Sequence, residues 1–464
     1  MITMCLASMI GSCAWRLPDR IVVESNGTCA DLRAFLRDPI PRPRRGCRDG
    51  RDRDARPVGD AWCEPPVRKA DMKAPAVAPP EPRRPAPAPA RRLFRVLLQG
   101  SAGPAGAVYV AALSLHLALL AVMDTADSPS VGERLRSWDG AFYTGIARHG
   151  YPGAFSTAGH PTGHALAFFP AYPGLIRCVH AVTRLGYGAA ALTAAQLAAI
   201  AALFAVHRLF SALYDHRTAT VATILVACVQ PMSLVFFMAY GESLFLALAA
   251  ASLWAVYRRA WLSAGGLALL AGLTRPAAAA LAAAVAVAAG QWMWRERHVA
   301  WRPLAAVALS CAGTPAYLLW VGFRVGRLDA YFVIEETGWG THWDGGKAFV
   351  ASLVDTLTRS DGWVLVSTCV LLLSCLVATA VAWQRTAWLP FLVYGTGILV
   401  IALTQSNFQH SKLRLVIPAL VFLVPVARVL SRARPLAAVL VLTAGALFGS
   451  WYGAYMLTVW HYAI

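Results

Sequence analysis

Charge is scarce in this chain, and acidic charge scarcer still: Asp, Glu, Lys and Arg make up 14% of the residues, and 24 acids face 42 bases. So little charge over 464 residues, with 58% hydrophobic content and a mean hydropathy of +0.52, excludes the soluble globular classes and points to a polytopic membrane protein. The net charge of +18 then reports topology, because Lys and Arg accumulate in the cytoplasmic segments of membrane proteins. There is no soluble basic domain that would bind nucleic acid, and that partner class is excluded too. Ten cysteines are scattered with no CxxC pair, so no disulfide or metal framework is implied. The first fifteen residues lack a positive n-region and make a poor signal peptide. The two halves of the chain show no inverted repeat, and charges gather at the edges of apolar segments. Both facts count against the alternative of a multi-pass transporter or lipid flippase without transferase activity.

What is present divides at residue 92. Residues 1–92 are dominated by Arg, Asp, Pro, Gly and Ala and end in the low-complexity run Ala74 to Arg92; such a composition buries no core and predicts a disordered, basic cytoplasmic tail. Asp52, Arg53 and Asp54 spell a DxD, but within a run of alternating Arg and Asp this is a chance match. Residues 93–464 are the membrane domain. Apolar segments near 104–123, 187–207, 218–238, 241–257, 261–273, 276–294, 301–322, 363–383, 387–404, 413–430 and 435–460 predict about eleven transmembrane helices. One further candidate, 165–185, contains Pro170, Pro173, Arg177, His180 and Arg184. The clusters Arg258-Arg259, Arg295 to Arg302, Arg385 and Arg428 to Arg434 all fall on the cytoplasmic side only if 165–185 lies on the outer surface without crossing. With that topology the loop 124–186, the turn Tyr240 to Ser243, Thr274-Arg275-Pro276, and the loops 323–362 and 405–412 all face the extracytoplasmic compartment. A shared outward-facing cavity explains that coincidence with one assumption.

The first of these loops is the richest. Ser130 followed by Glu133 reads as a capping box, predicting a helix from there toward Gly150. On it Leu135, Trp138, Phe142 and Ile146 form one apolar stripe, and Asp139 and Tyr143 stack a turn apart on the adjoining face. The ordered set Trp138-Asp139, Tyr143, Ile146-Ala147, Gly150-Tyr151 and Phe168-Phe169-Pro170-Ala171-Tyr172-Pro173 resembles the WD…Y…IA…GY…FFPxYP pattern of the PIG-V-type mannosyltransferases. These are the GPI mannosyltransferase II family and its bacterial relatives, within the GT-C class of membrane glycosyltransferases. The resemblance extends more weakly over residues 104–464. It implies an all-α, GT-C-like fold with a large first extracytoplasmic loop carrying surface helices. The activity it implies is that of a mannosyltransferase drawing on a polyprenyl-phosphate donor.

The chemistry of such a transfer dictates what to look for. A lipid-phosphate sugar presents a phosphate leaving group at the membrane surface, and an inverting transfer needs a base for the acceptor hydroxyl and cations for the departing phosphate. Asp139 is the only acid within the aromatic helix, and the resemblance gives the loop-one Asp the role of base. Glu242, in YGESLF, resembles the family's YTESLF turn with Gly241 in place of Thr; an ionisable residue at a span's edge is expensive to place, and it orients the acceptor or pairs with Arg275. Arg275, Lys412 and Arg414 are the best phosphate partners, with Arg148 and His149 also in reach; snorkelling of Arg414 to the interface is the plain alternative. The KLRLVIPA stretch is loosely similar to the RYxxP that ends the outer loop in many GT-C proteins. Trp138, Tyr143, Tyr151, Phe168, Phe169 and Tyr240 complete the substrate-binding set with Trp339, whose segment IEETGWGTHWDGG also carries Glu335, Glu336 and Trp343; its aromatics suit either sugar stacking or an interfacial belt. His160 and His164 have ligand spacing, but Pro161 and Gly163 break the helix that spacing requires, so no metal and no other cofactor is expected. The implied partners are membrane lipid, the lipid-linked donor, and a glycolipid, polysaccharide or protein acceptor.

Overall fold

The computed structural model describes residues 101–124, 129–156, 163–360, 362–460 and 462, all within one compact unit, residues 87–464. The tail 1–92, with Asp52 and Asp54, lies outside the described residues. The described chain is almost entirely helical. In order it forms α1 (Ala102–Val122), α2 (Val131–Arg134), α3 (Asp139–His149), α4 (Ala171–Thr183), α5 (Tyr187–Leu213), α6 (His216–Ile224), α7 (Glu242–Tyr257), α8 (Trp261–Gly272), α9 (Ala278–Glu296), α10 (Trp301–Val325), α11 (Ala330–Trp339), α12 (Lys347–Arg359), α13 (Trp363–Arg385), α14 (Leu389–Thr404), α15 (Lys412–Val416), α16 (Leu423–Arg432) and α17 (Pro435–Thr458).

Every segment expected to cross is helical, but length and composition divide them. α1, α5, α10, α13 and α17, of 21, 27, 25, 23 and 24 residues, are long and apolar enough to span a bilayer, at about 1.5 Å per residue against a hydrocarbon core of about 30 Å. Gln409–Ala419 and Leu423–Arg432, bent by 60°, make a sixth if counted together. The chain is therefore a multi-pass membrane protein; among the described residues five or six helices are full-length spans, and the other apolar segments fold as shorter or broken helices. The shorter helices have local causes. In 218–238 the helix ends ahead of Pro231, which has no N–H to continue it, and a 3-10 turn Ser233–Phe237 follows. α8 stops after twelve residues, just before Arg275-Pro276. Helix α4, at thirteen residues about 20 Å long, is too short to cross, as the charge pattern of 165–185 required.

Small residues set the packing, as they do between helices in lipid. The buried face of α5 is nearly all alanine, from Ala190 to Ala205. α8 and α10 approach so closely that a Cβ on Gly313 would collide with the Leu269 carbonyl oxygen, and one on Gly272 would lie 2.9 Å from the Thr314 nitrogen. A two-residue antiparallel pair, His342–Trp343 (β1) with Gln405–Ser406 (β2), ties the segment after α11 to the segment after α14.

Candidate functional site

The capping box at Ser130 forms: its backbone N–H donates to Glu133 Oε2 at 2.9 Å, and its hydroxyl accepts from the Glu133 N–H. The single helix expected to follow does not. Four residues later the chain breaks, with Trp138 at φ 54°, and restarts as α3 with Asp139 in its first turn. The break rotates the two halves apart. Leu135 and Ile146 are buried, whereas Trp138 and Phe142 are exposed, so the expected stripe is not one face. It also places the Asp139 carboxylate at a helix N-terminus, where the dipole favours it. The other end of α3 is held by Arg177 of α4, whose Nε donates to the Ala147 carbonyl at 2.8 Å.

Asp139 faces a cavity of about 370 Å³, a size typical of small-molecule sites. All five segments expected on one side contribute to it: Asp139, Tyr143, Phe168 and Phe169 from the first loop, Gly241 and Glu242, Thr274 and Arg275, Glu335 and Trp339 with His342, and Gln405 to Ser411 leading to Arg414. Arg414 Nη1 donates to Asp139 Oδ2 at 2.7 Å, and its Nε stands 3.5 Å from Glu242 Oε1. Arg275 Nη1 is 3.5 Å from the same Glu242 oxygen. Two acids and two arginines thus form one neutral chain, Asp139–Arg414–Glu242–Arg275, in which Glu242 sits at the start of α7 and pairs with Arg275 as expected. Arg414 does not snorkel; a guanidinium at this depth is retained because two carboxylates neutralise it and the ring of Tyr240 lies 5.3 Å beneath. Arg414 Nε and Arg275 Nη1 are buried and make no hydrogen bond among the described residues; both face Glu242 Oε1 at 3.5 Å, so the two guanidinium groups converge on one carboxylate. Burial drives the Asp139 carboxyl above the usual carboxylate range and Glu242 adds to the rise, while Arg414 opposes it. Burial and the same two acids also push the Tyr143 hydroxyl up, so it stays protonated. The glycine at 241 has a local reason: a Cβ there would lie 3.2 Å from the Tyr143 hydroxyl.

The other expected site residues sort differently. Phe168, Phe169, Tyr143 and Trp339 line the cavity; Trp339 is clasped edge-on by Phe168 at 5.7 Å and His164 at 6.0 Å. Tyr240 is fully buried behind Arg414 and does not itself line the cavity. Trp138 is exposed and does not line it. Lys412 is buried but spoken for: its Nζ donates to the carbonyls of Ala402 at 3.1 Å and Gln405 at 2.7 Å, capping the C-terminal end of α14 and leaving no phosphate contact in the cavity. Arg148 and His149 are exposed at the far end of α3, a helix length from Asp139. Tyr151 donates to the Phe168 carbonyl at 2.7 Å and so positions the Phe168-Phe169 turn from behind. His160 lies outside the described residues; among the described ones no three His, Cys, Asp or Glu side chains group to hold a metal ion.

Sequence reading named Glu335 without giving it a role. It lines the same cavity, accepting from the Tyr331 hydroxyl at 2.9 Å. Its spacing to Trp339, one helical turn, was the available signal.

No family model matches the sequence, and no curated protein matches it. Solved structures do resemble the fold. ArnT from Cupriavidus metallidurans bound to undecaprenyl phosphate is 15% identical, with a TM-score of 0.44 over 75% of each chain. The archaeal oligosaccharyltransferase AglB from Archaeoglobus fulgidus, in complex with an inhibitory peptide and a dolichol-phosphate, is 12% identical, with a TM-score of 0.43 over 76% of this chain and 56% of its own. The present chain thus spans only about half the length of AglB.

Proposed function

We propose that this chain is a membrane glycosyltransferase of GT-C-like fold that moves a mannosyl unit from a polyprenyl-phosphate carrier to an acceptor on the extracytoplasmic face, with inversion. The observation that carries the proposal is the Asp139–Arg414–Glu242–Arg275 chain in one cavity, assembled from segments that sequence reading had placed on one side of the membrane. Mannose as the sugar rests on the resemblance of the Trp138-Asp139 to Pro173 pattern to the PIG-V-type enzymes.

In this reading Arg414 and Arg275 hold the phosphate and neutralise the charge it gathers as the glycosidic bond breaks. Asp139 takes the proton of the acceptor hydroxyl. The 2.7 Å bond from Arg414 ties the two roles together. A phosphate drawing the guanidinium toward itself weakens that bond, and a carboxylate that loses its cation becomes a stronger base. Donor binding would then ready the base only when the leaving group is in place. Glu242, held between both arginines, keeps them aligned while Asp139 is engaged elsewhere.

The test is transfer from radiolabelled polyprenyl-phosphate mannose into glycolipid, polysaccharide or protein in membranes holding the wild-type chain or Asp139→Asn at matched expression. Incorporation by wild type and not by the Asn variant supports the proposal. Equal incorporation by both would remove Asp139 from the mechanism, and none from any polyprenyl-phosphate hexose would end the transferase reading.

A further inference from the structure

The four charges of the ionic chain cancel, but the cavity holds a third acid. Glu335 projects from α11 into the same space, and among the described residues no Lys, Arg or His nitrogen lies within 4.0 Å of its carboxylate. One oxygen, Oε1, accepts from the Tyr331 hydroxyl, which fixes the carboxylate's orientation; Oε2 has no hydrogen-bond partner among the described residues. A third carboxylate repels a phosphate and adds nothing to its binding, so this wall suits a different part of the substrate. A carboxylate with a spare acceptor oxygen binds hydroxyl donors through short charge-assisted hydrogen bonds. One turn along, Trp339 lines the cavity too, its ring set by Phe142, Phe168 and His164 at 6.2, 5.7 and 6.0 Å. An indole and a carboxylate at i and i+4 on one helix face offer a flat apolar surface beside a hydroxyl acceptor, which together match the two faces of a hexose ring.

We propose that Glu335 and Trp339 form the subsite that holds the hydroxyl-bearing transferred hexose, opposite the arginines that hold its phosphate. This rests on the transferase reading and adds to it which wall the sugar meets. Tyr331 is the positioning residue, holding the Glu335 carboxylate without touching the sugar.

The experiment measures binding to the purified full chain in nanodiscs, by calorimetry, of two probes: polyprenyl phosphate, and polyprenyl-phosphate mannose. Glu335→Gln and Trp339→Ala should each weaken binding of the sugar-bearing lipid by about tenfold, the worth of a hydrogen bond to a charged group, and change the affinity for polyprenyl phosphate less than about twofold. Glu336→Gln, an exposed neighbour 4.0 Å from His342, should change neither. Should Glu335→Gln fail to fold, Glu335→Asp keeps the charge and shortens the reach, and the same selective loss is expected. An equal change in affinity for both lipids would show that Glu335 acts only as a charge beside the phosphate and would overturn the subsite, as would an unchanged affinity for the sugar-bearing lipid. Wild type binding neither lipid would instead overturn the transferase reading itself.

Discussion

Glu242 and Glu335 line one cavity and meet opposite conditions. Glu242 comes from the end of an apolar helix, 5% exposed, and is held between two guanidinium groups that themselves come from the ends of other apolar segments. Glu335 comes from a short helix in the loop between α10 and α13 and has only a tyrosine hydroxyl. Burial, with the nearby Asp139 carboxylate, pushes Glu335 up to about 7, against the pull of Tyr331, Arg275 and Arg414. The contrast shows how such a cavity is divided. At the membrane edge an acid is kept only with cations beside it, because an unpaired charge there is costly. On the loop wall Glu335 is half-buried with no cation within 4.0 Å, and its second oxygen has no hydrogen-bond partner among the described residues. In the proposed reading, pairing marks the wall that faces the phosphate, and its lack marks the wall that faces neutral donors.

The comparison can be broken most forcefully at the paired wall. Asp139→Asn keeps size and hydrogen-bonding reach but accepts no proton, so transfer should fall by about 10²–10⁴-fold while affinity for polyprenyl-phosphate mannose changes little. Single-turnover transfer against equilibrium binding separates the two; parallel loss of both would mean that Asp139 holds the site together and does no proton transfer. Arg414→Ala comes next. It strands Asp139 and shares Glu242 with Arg275 alone, so donor binding should be lost and stability should fall by about 3 kcal/mol, the penalty for breaking a buried pair. Thermal melts in detergent check the second part. An unchanged melting temperature would show that water reaches Asp139 freely.

How much of this was legible beforehand differs between the walls for the same reason. Asp139, Glu242, Arg275 and Arg414 each stand where a polar residue interrupts an apolar run, and positive-inside bookkeeping alone gathered them on one side. Lys412 carried the same signal and was misassigned, because sequence does not show that the carbonyls of Ala402 and Gln405 at a helix end are within its reach. Trp138 was misplaced by one dihedral: a φ of 54° in a tryptophan has no sequence signature, and it turned a continuous stripe into two faces. The break in 218–238 was not foreseen, because Pro231 interrupts an apolar run whose hydropathy reads as continuous. Glu335 had only its one-turn spacing to Trp339 as a signal, and its partner Tyr331 becomes visible only once α11 is known to be a helix.

A smaller effect at the paired wall concerns the shape of the cation. Arg275→Lys keeps the charge and loses the two-pronged geometry, so it should reduce turnover less than Arg275→Ala does. Full activity in Arg275→Ala would leave Arg414 as the sole phosphate ligand and reduce the paired wall to three residues.

The smallest effect sharpens the unpaired wall. Glu335 is protonated below about pH 7 and ionised above it, and only the carboxylate accepts two hydroxyl donors at full strength. Affinity for polyprenyl-phosphate mannose should therefore rise a few-fold between about pH 6 and pH 8. This phosphodiester has a single acidic proton, lost well below that window, so the donor itself does not titrate across it. Other groups facing Glu335 need to be set aside. Asp139, Arg275 and Arg414 share the cavity with it, the Tyr331 hydroxyl is held protonated by its burial, and His342 and His164 stand on neighbouring segments. A rise with pH that vanishes in Glu335→Gln therefore belongs to Glu335. A profile that falls with pH, or one that the Gln variant leaves untouched, would place the titrating group elsewhere and remove Glu335 from the binding of the sugar.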